Sequence, residues 1–197
     1  MTPLNPFVLL KFEPRPWIDQ EELKARFLEL SKLQHPDQQE VGAGARLDAE
    51  QKLQQLNQAN QILSDDVQRI KALLELGNES DGDRAQGVPD SILSLFSEVT
   101  PVIHEADRSL KVADQATTAL ERAMVQGQVM EQALAVQKAA GSVGAARERL
   151  LEKIRDLDQK WQDDADFERL KQVYSELVYV VRWARQLDER QFRLLSF

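Results

Sequence analysis

From Asp90 to Phe197 the chain is built almost entirely of helix-forming residues, and apolar side chains return along it every three or four positions. That spacing puts them on one face of a helix, whose period is about 3.6 residues. Ile92, Leu93, Leu95, Phe96 and Val99 open the pattern, with Asp90-Ser91 as its cap. A proline inside a helix removes a backbone hydrogen bond, so Pro101 is expected to kink or restart this helix, with Thr100 as the new cap. Val102, Ala106, Leu110, Ala113 or Ala116, and Leu120 continue the stripe, and Gly127 is the expected turn. A second long helix is expected over about 129–159, weakened in its middle by Gly141 and Gly144. The polar run QDDAD at 162–166 marks the next turn. A third helix then holds Phe167, Leu170, Val173, Tyr174, Leu177, Val181, Ala184, Leu187 and Leu194. Three long helices joined by short turns pack naturally as an antiparallel bundle.

The first part of the chain reads differently. Asn5-Pro6 starts a short helix: Asn can cap it, and proline suits the first helical position, where its missing N–H needs no partner. Pro14 and Pro16 end that stretch. Asp19 opens the next helix, with Glu22 in capping-box spacing and Leu23, Phe27 and Leu30 on one face. Pro36 stops it, since the residue before a proline is pushed out of the α region. QQEVGAGAR, with Gly42 and Gly44, reads as a loop. A third helix is expected from about Arg46 to Leu63, with Leu53, Leu56, Ala59 and Leu63 facing one way. Ser64-Asp65-Asp66 punctuates it, and VQRIKALLELG is a fourth helix ending at a Gly77 cap. NESDGDRAQGVP, residues 78–89, is the best linker. The expected fold class is therefore all-α, with an N-terminal helical domain over 1–77, a linker over 78–89 and a helical bundle over 90–197.

Composition narrows the function. The 33 acidic residues outnumber the 25 basic ones, for a net charge of −8, which argues against binding nucleic acid or an anionic membrane surface. The chain has no cysteine, which removes disulfides, a thiol nucleophile and cysteine-ligated metal clusters, and fits a reducing compartment. The apolar run Phe7–Leu10 is too short for a signal-peptide core, and no window approaches the roughly 20 apolar residues of a membrane span. The expectation is a soluble cytoplasmic protein without a cofactor.

One tripeptide stands out. His35-Pro36-Asp37 lies between two amphipathic helices. As chemistry it is thin: one imidazole and one carboxylate stand in a loop with no serine or cysteine motif nearby, and the other histidine, His104, lies far along the chain. Neither a catalytic residue nor a metal site is expected. As plain structure, Pro36 ends a helix and Asp37 starts a turn.

The context resembles the J-domain, whose defining loop is His-Pro-Asp between its second and third helices. Leu23, Phe27 and Leu30 match the apolar second-helix positions, and Leu53, Leu56, Ala59 and Leu63 match the third-helix pattern. LNQANQIL followed by DDVQRIKALLELG is more specifically similar to the HscB family of iron–sulfur co-chaperones. There an Asn-Gln-Ala motif leads into an Arg and a Leu-Leu-x-Leu ending. The length and the helical second half, closing on Phe197, also agree.

The resemblance implies an N-terminal J-domain and a C-terminal three-helix bundle that binds a client or scaffold. It implies that His35, Pro36 and Asp37 dock on a DnaK-type or HscA-type chaperone and stimulate its ATPase, with Lys24, Arg26 and Lys32 steering the approach. It also implies that Ile92, Leu93 and Phe96 contact an iron–sulfur cluster scaffold protein. The sequence departs from the family at Gln34, usually aromatic, at Gln38, usually basic, and at Ser94 and Ser97, where acids are common. A J-protein with another client, or a J-like interaction protein that no longer engages a chaperone, are the alternatives.

Overall fold

The computed structural model describes residues 5–33, 43–77, 89–161 and 164–197, and every regular element among them is helical. The order is α1 Pro6–Leu9, α2 Gln20–Leu33, α3 Ala43–Ser64 and α4 Asp66–Leu76. A 3-10 turn at Asp90–Ile92 follows, then α5 Leu93–Gln115, α6 Ala119–Gln159 and α7 Asp164–Leu195. Two compact units result. One joins Met1–Arg84 with Ile154–Tyr174, and the other joins Ala85–Lys153 with Ser175–Phe197. No helix among the described residues is long and apolar enough to cross a membrane.

In the first unit, caps set the helix boundaries. The Asn5 side chain accepts from the Phe7 and Val8 amides at 3.1 and 3.3 Å, and Pro6 takes the first helical position, as expected. The helix closes in a Schellman turn, with the Lys11 amide bonded to Val8 O and the Phe12 amide to Phe7 O. Lys11 itself holds a left-handed backbone (φ 58°), the place where glycine is usual. Asp19 Oδ1 accepts from the Glu22 amide at 2.9 Å and starts α2. Asp65 Oδ1 accepts from the Gln68 amide at 2.8 Å and starts α4. The third helix packs against α1, α2 and α4. Its Leu56, Ala59 and Leu63 meet a core that includes Phe7, Leu10, Leu23, Ile70 and Leu73, all buried. Leu53, Phe27 and Leu30 are half-buried on the same faces.

Arg69 is the polar centre of this unit. Its side chain is fully buried, and all three guanidinium nitrogens donate: Nε to Pro16 O at 3.0 Å, Nη1 to Leu63 O at 2.8 Å, and Nη2 to Asp66 Oδ1 at 2.7 Å. Leu63 O belongs to the last turn of α3, where carbonyls lack intrahelical partners, so one cation caps α3 and ties it to α4 and the Pro16 segment. The ends of α6 and α7 complete the unit. Asp158 pairs with Arg15 at 3.0 Å and accepts from the Trp17 amide at 3.1 Å, and Arg155 lies 4.2 Å over the Trp17 ring. Gly77 caps α4, and a Cβ there would come within 2.7 Å of the Phe167 ring. Close approach thus explains this glycine.

In the second unit, side-chain pairs give the helix directions. From α5 to α6, Glu98 meets Ser142 and Ser109 meets Gln128, so those helices run antiparallel. From α5 and the turn before it to α7, Ser91 meets Glu176, Asp107 meets Arg190 and Asp114 meets Arg193, so those run parallel. This is the up-down-up bundle that the spacing predicts. Its core includes Val99, Ala106 and Leu110 from α5, Val129, Val136 and Val143 from α6, and Leu177, Val180, Trp183 and Leu187 from α7.

Three expectations fail locally. Helix α5 passes unbroken through Pro101. The expected restart is therefore absent: Pro101 and Ser97 are both exposed, so the carbonyl that loses its partner can bond water, while Val99, Ile103 and Ala106 on either side are buried in the bundle. The second long helix begins at Ala119, not near 129, and Gly127 lies inside it. A capping box decides this. The Glu121 amide donates to Thr118 Oγ1 at 3.2 Å, while Glu121 Oε2 accepts from the Thr118 amide at 2.8 Å. The Thr118 amide first, then its hydroxyl and both Thr117 donors, hold the Glu121 carboxyl below its ordinary value. Finally, α3 starts at Ala43, so Gly44 is helical, whereas QQEVG at 38–42 lies outside the described residues.

Candidate functional site

His35, Pro36 and Asp37 lie outside the described residues; the two helices that flank them, α2 and α3, do not. The pair is fixed by apolar contact, with Leu23 of α2 buried alongside Leu56 and Ala59 of α3. The three cations proposed on α2 separate into two groups. At 100° per residue, Lys24 and Lys32 lie about 80° apart, while Arg26 lies about 200° round from Lys24. Lys24 and Lys32 are exposed. Arg26 is half-buried, and its donors are engaged: Nη1 on the Lys11 carbonyl and Nη2 on Glu22 Oε1 at 2.6 Å, with the guanidinium 4.2 Å over the Phe12 ring. Arg26 therefore fastens α2 to the segment after α1, and the left-handed turn at Lys11 aims the carbonyl it grips.

Between the two lysines sits Leu28, also exposed. Lys24, Leu28 and Lys32 recur at four-residue intervals and form one cationic strip with an apolar centre, leading towards residue 33. Leu28 is absent from the sequence-based set, although i, i+4 spacing from Lys24 was the signal. Elsewhere in this unit an open cleft of about 430 Å³ is bordered by Lys11, Phe12, Arg15, Trp17, Arg26 and Asp158. Ion pairs between its own walls, Arg15 with Asp158 and Arg26 with Glu22, engage four of its charged side chains.

The second set, at the start of α5, is split by the 3-10 turn. Ile92 is 6% exposed and belongs to the bundle core, whereas Leu93 and Phe96 are 45% and 38% exposed. The Phe96 ring stacks at a tilt 6.1 Å from Trp183, which in turn lies 5.9 Å from Tyr179. Half-buried Tyr179 thus extends the Leu93–Phe96 surface from α7. No local pattern announces it, because it joins the patch only through helix packing. Two acids beside this surface are engaged within the bundle: Glu98 accepts from Ser142 at 2.7 Å and Glu176 from Ser91 at 2.6 Å. His104 is exposed. Among the described residues no group of three or more His, Cys, Asp or Glu is placed to hold a metal ion. Two exposed surfaces result: one cationic with an apolar centre, one apolar and aromatic.

Residues 6–71 match the family model of the DnaJ domain, a span that runs across His35-Pro36-Asp37. Residues 6–71 therefore form a DnaJ domain, and a three-helix bundle follows it in the chain. A comparison with curated proteins by sequence finds no match. Comparison with solved structures gives a specific fold. The chaperone HscB from Vibrio cholerae is similar at 19% identity and a TM-score of 0.64, over 96% of this chain and 99% of that one. The human co-chaperone protein HscB is similar at 16% identity and a TM-score of 0.66, over 97% and 84%. The whole chain thus has the HscB-like fold.

Proposed function

We propose that the protein is a co-chaperone with no catalysis of its own. It docks His35-Pro36-Asp37 on a DnaK-type or HscA-type chaperone, stimulates ATP hydrolysis there, and delivers an iron–sulfur cluster scaffold protein held on its bundle. The observation that carries this reading is the DnaJ-domain match over 6–71, joined to an HscB-like fold across nearly the whole chain. In this reading residues 1–77 face the chaperone, 78–89 link, and 90–197 carry the client, in the cytoplasm.

The residue types suit the task. Pro36 fixes its own φ, so the loop loses less entropy on docking. Asp37 offers an acceptor that an arginine grips with two parallel bonds. His35 can donate or accept. Lys24 and Lys32 draw the strip towards an acidic patch, and Leu28 supplies apolar contact once it arrives. Arg26 contributes by holding α2 in place. On the bundle, Leu93 and Phe96 form the client surface, Tyr179 widens it, and Ile92 supports it from beneath.

The test is a chaperone ATPase assay with and without an iron–sulfur scaffold protein. Stimulation by this protein, increased further by scaffold, is expected. A Leu93→Ser/Phe96→Ser variant should keep the basal stimulation and lose the increment. No stimulation under either condition refutes the reading. A second reading, a J-protein with a different client, is favoured by Ser94 and Ser97 where the resembled family carries acids, and by Glu98 being held on Ser142. Stimulation without any effect of scaffold selects it.

A further inference from the structure

Helix α6 carries two seams. Val129, Val136, Val143 and Leu150 recur every seven residues and are buried in the bundle. A second series, Leu120, Gly127, Leu134 and Gly141, has the same spacing and lies about 180° round the helix. Among the described residues nothing covers it: Leu120, Leu134 and the neighbouring Met124 are 73%, 60% and 76% exposed. A Cβ built on Gly127 or Gly141 meets no atom within 4 Å. Glycine inside a helix costs about 0.5–1 kcal/mol relative to alanine, and no contact among the described residues requires it at either place. A seven-residue apolar repeat is the pattern by which one helix lies along another.

The charges on the stripe select the occupant. Glu131 and Lys138 are exposed and lie three residues before and four after Leu134. If a second α6 runs antiparallel with the two-fold axis between Leu134 and Ala135, each Glu131 faces the other copy's Lys138. Met124 then faces Ala145, and Gly127 and Gly141 lie within one residue of the same level, which lets the backbones approach. The same residues are far less suited to a parallel copy, which sets Glu131 against Glu131 and Lys138 against Lys138. We propose that α6 is a self-association surface, on which two copies of this chain pair antiparallel through Leu120, Met124, Leu134 and the Glu131–Lys138 contacts. The proposal does not depend on the chaperone reading.

The stripe from Leu120 to Gly141 is about 32 Å long and one helix wide. That is less than the roughly 800 Å² per partner of a standard interface, so the dimer is weak and shows at high concentration. The test is sedimentation equilibrium of the full chain, loaded up to about 1 mM, with far-UV circular dichroism to confirm that each variant keeps its helix content. The wild type should shift towards dimer mass as loading rises. Glu131→Lys alone and Lys138→Glu alone should each remain monomeric, because like charges then meet across the axis. An equimolar mixture of the two variants should regain dimer mass, because each then presents the charges the other lacks. A wild type that stays monomeric throughout, or a dimer indifferent to these substitutions, overturns the proposal.

Discussion

Replacing Arg69 with alanine removes three donors at once from the interior of the first unit. The carbonyls of Pro16 and Leu63 lose their bonds in a buried setting, and Asp66 loses a cation 2.7 Å away. A stranded buried acceptor costs about 1–3 kcal/mol, and breaking a buried ion pair from one side about 3–5 kcal/mol. These terms overlap, because the Asp66 carboxylate is partly exposed and regains water. A net loss of about 3–5 kcal/mol is the expected result. Against a typical total of about 5–15 kcal/mol, that is enough to leave the first unit marginal. Arg69→Lys should lose less, since an ammonium still reaches one or two acceptors but cannot span all three. The assay is amide hydrogen exchange at α3 and α4, alongside urea unfolding, because a two-unit chain need not unfold in one step. Protection of both helices should fall together in Arg69→Ala. A loss below about 1 kcal/mol would show that the guanidinium is not the tie between α3, α4 and the Pro16 segment.

Other consequences can be checked directly. Gly77→Ala forces the Phe167 ring to move and should cost about 1 kcal/mol, with partial recovery in Gly77→Ala/Phe167→Leu, read by urea unfolding. Lys11→Gly relieves the left-handed backbone and should raise the melting temperature or leave it unchanged, while Lys11→Val should lower it. Thr118→Ala opens the capping box and should lower the melting temperature by a few degrees. Glu121 titrates below the ordinary 4.5 in the folded chain, so its contribution is present above that value and is lost as pH falls through the folded pKa; Glu121→Gln should flatten that part of the acid limb.

Much of the fold was legible because helix ends carry local chemistry. Asn5 and Asp19 cap where the sequence places caps, and much of the α5–α7 stripes is buried as their spacing requires, whereas Leu93, Phe96 and Leu120 are exposed. Pro101 misled because its cost depends on exposure and on what packs either side, which a sequence does not display. Gly127 reads as a turn because a mid-helix glycine resembles one, whereas the Thr118–Glu121 capping box sets the helix start at Ala119. The role of Arg69 could not be read at all, since two of its three partners are backbone carbonyls at Pro16 and Leu63 that leave no side-chain signature. On the candidate surfaces, Lys24 and Lys32 are exposed as a steering role needs, whereas Arg26 is held by its own helix and the segment before it. Tyr179 escaped because only packing of α7 beside α5 brings it to Phe96 through Trp183.

The central claim is that a J-domain loop in this chain drives ATP hydrolysis by another protein. The direct measurement is single-turnover ATP hydrolysis by a purified DnaK-type or HscA-type chaperone mixed with wild-type protein or with Asp37→Asn. Loss of one partner in a desolvated charged contact costs about 2–5 kcal/mol, enough to abolish a weak complex. Wild type should accelerate hydrolysis, and Asp37→Asn should leave the rate at the chaperone's own level while keeping wild-type helicity and melting temperature. Equal acceleration by both proteins, or none by the wild type, would contradict the account.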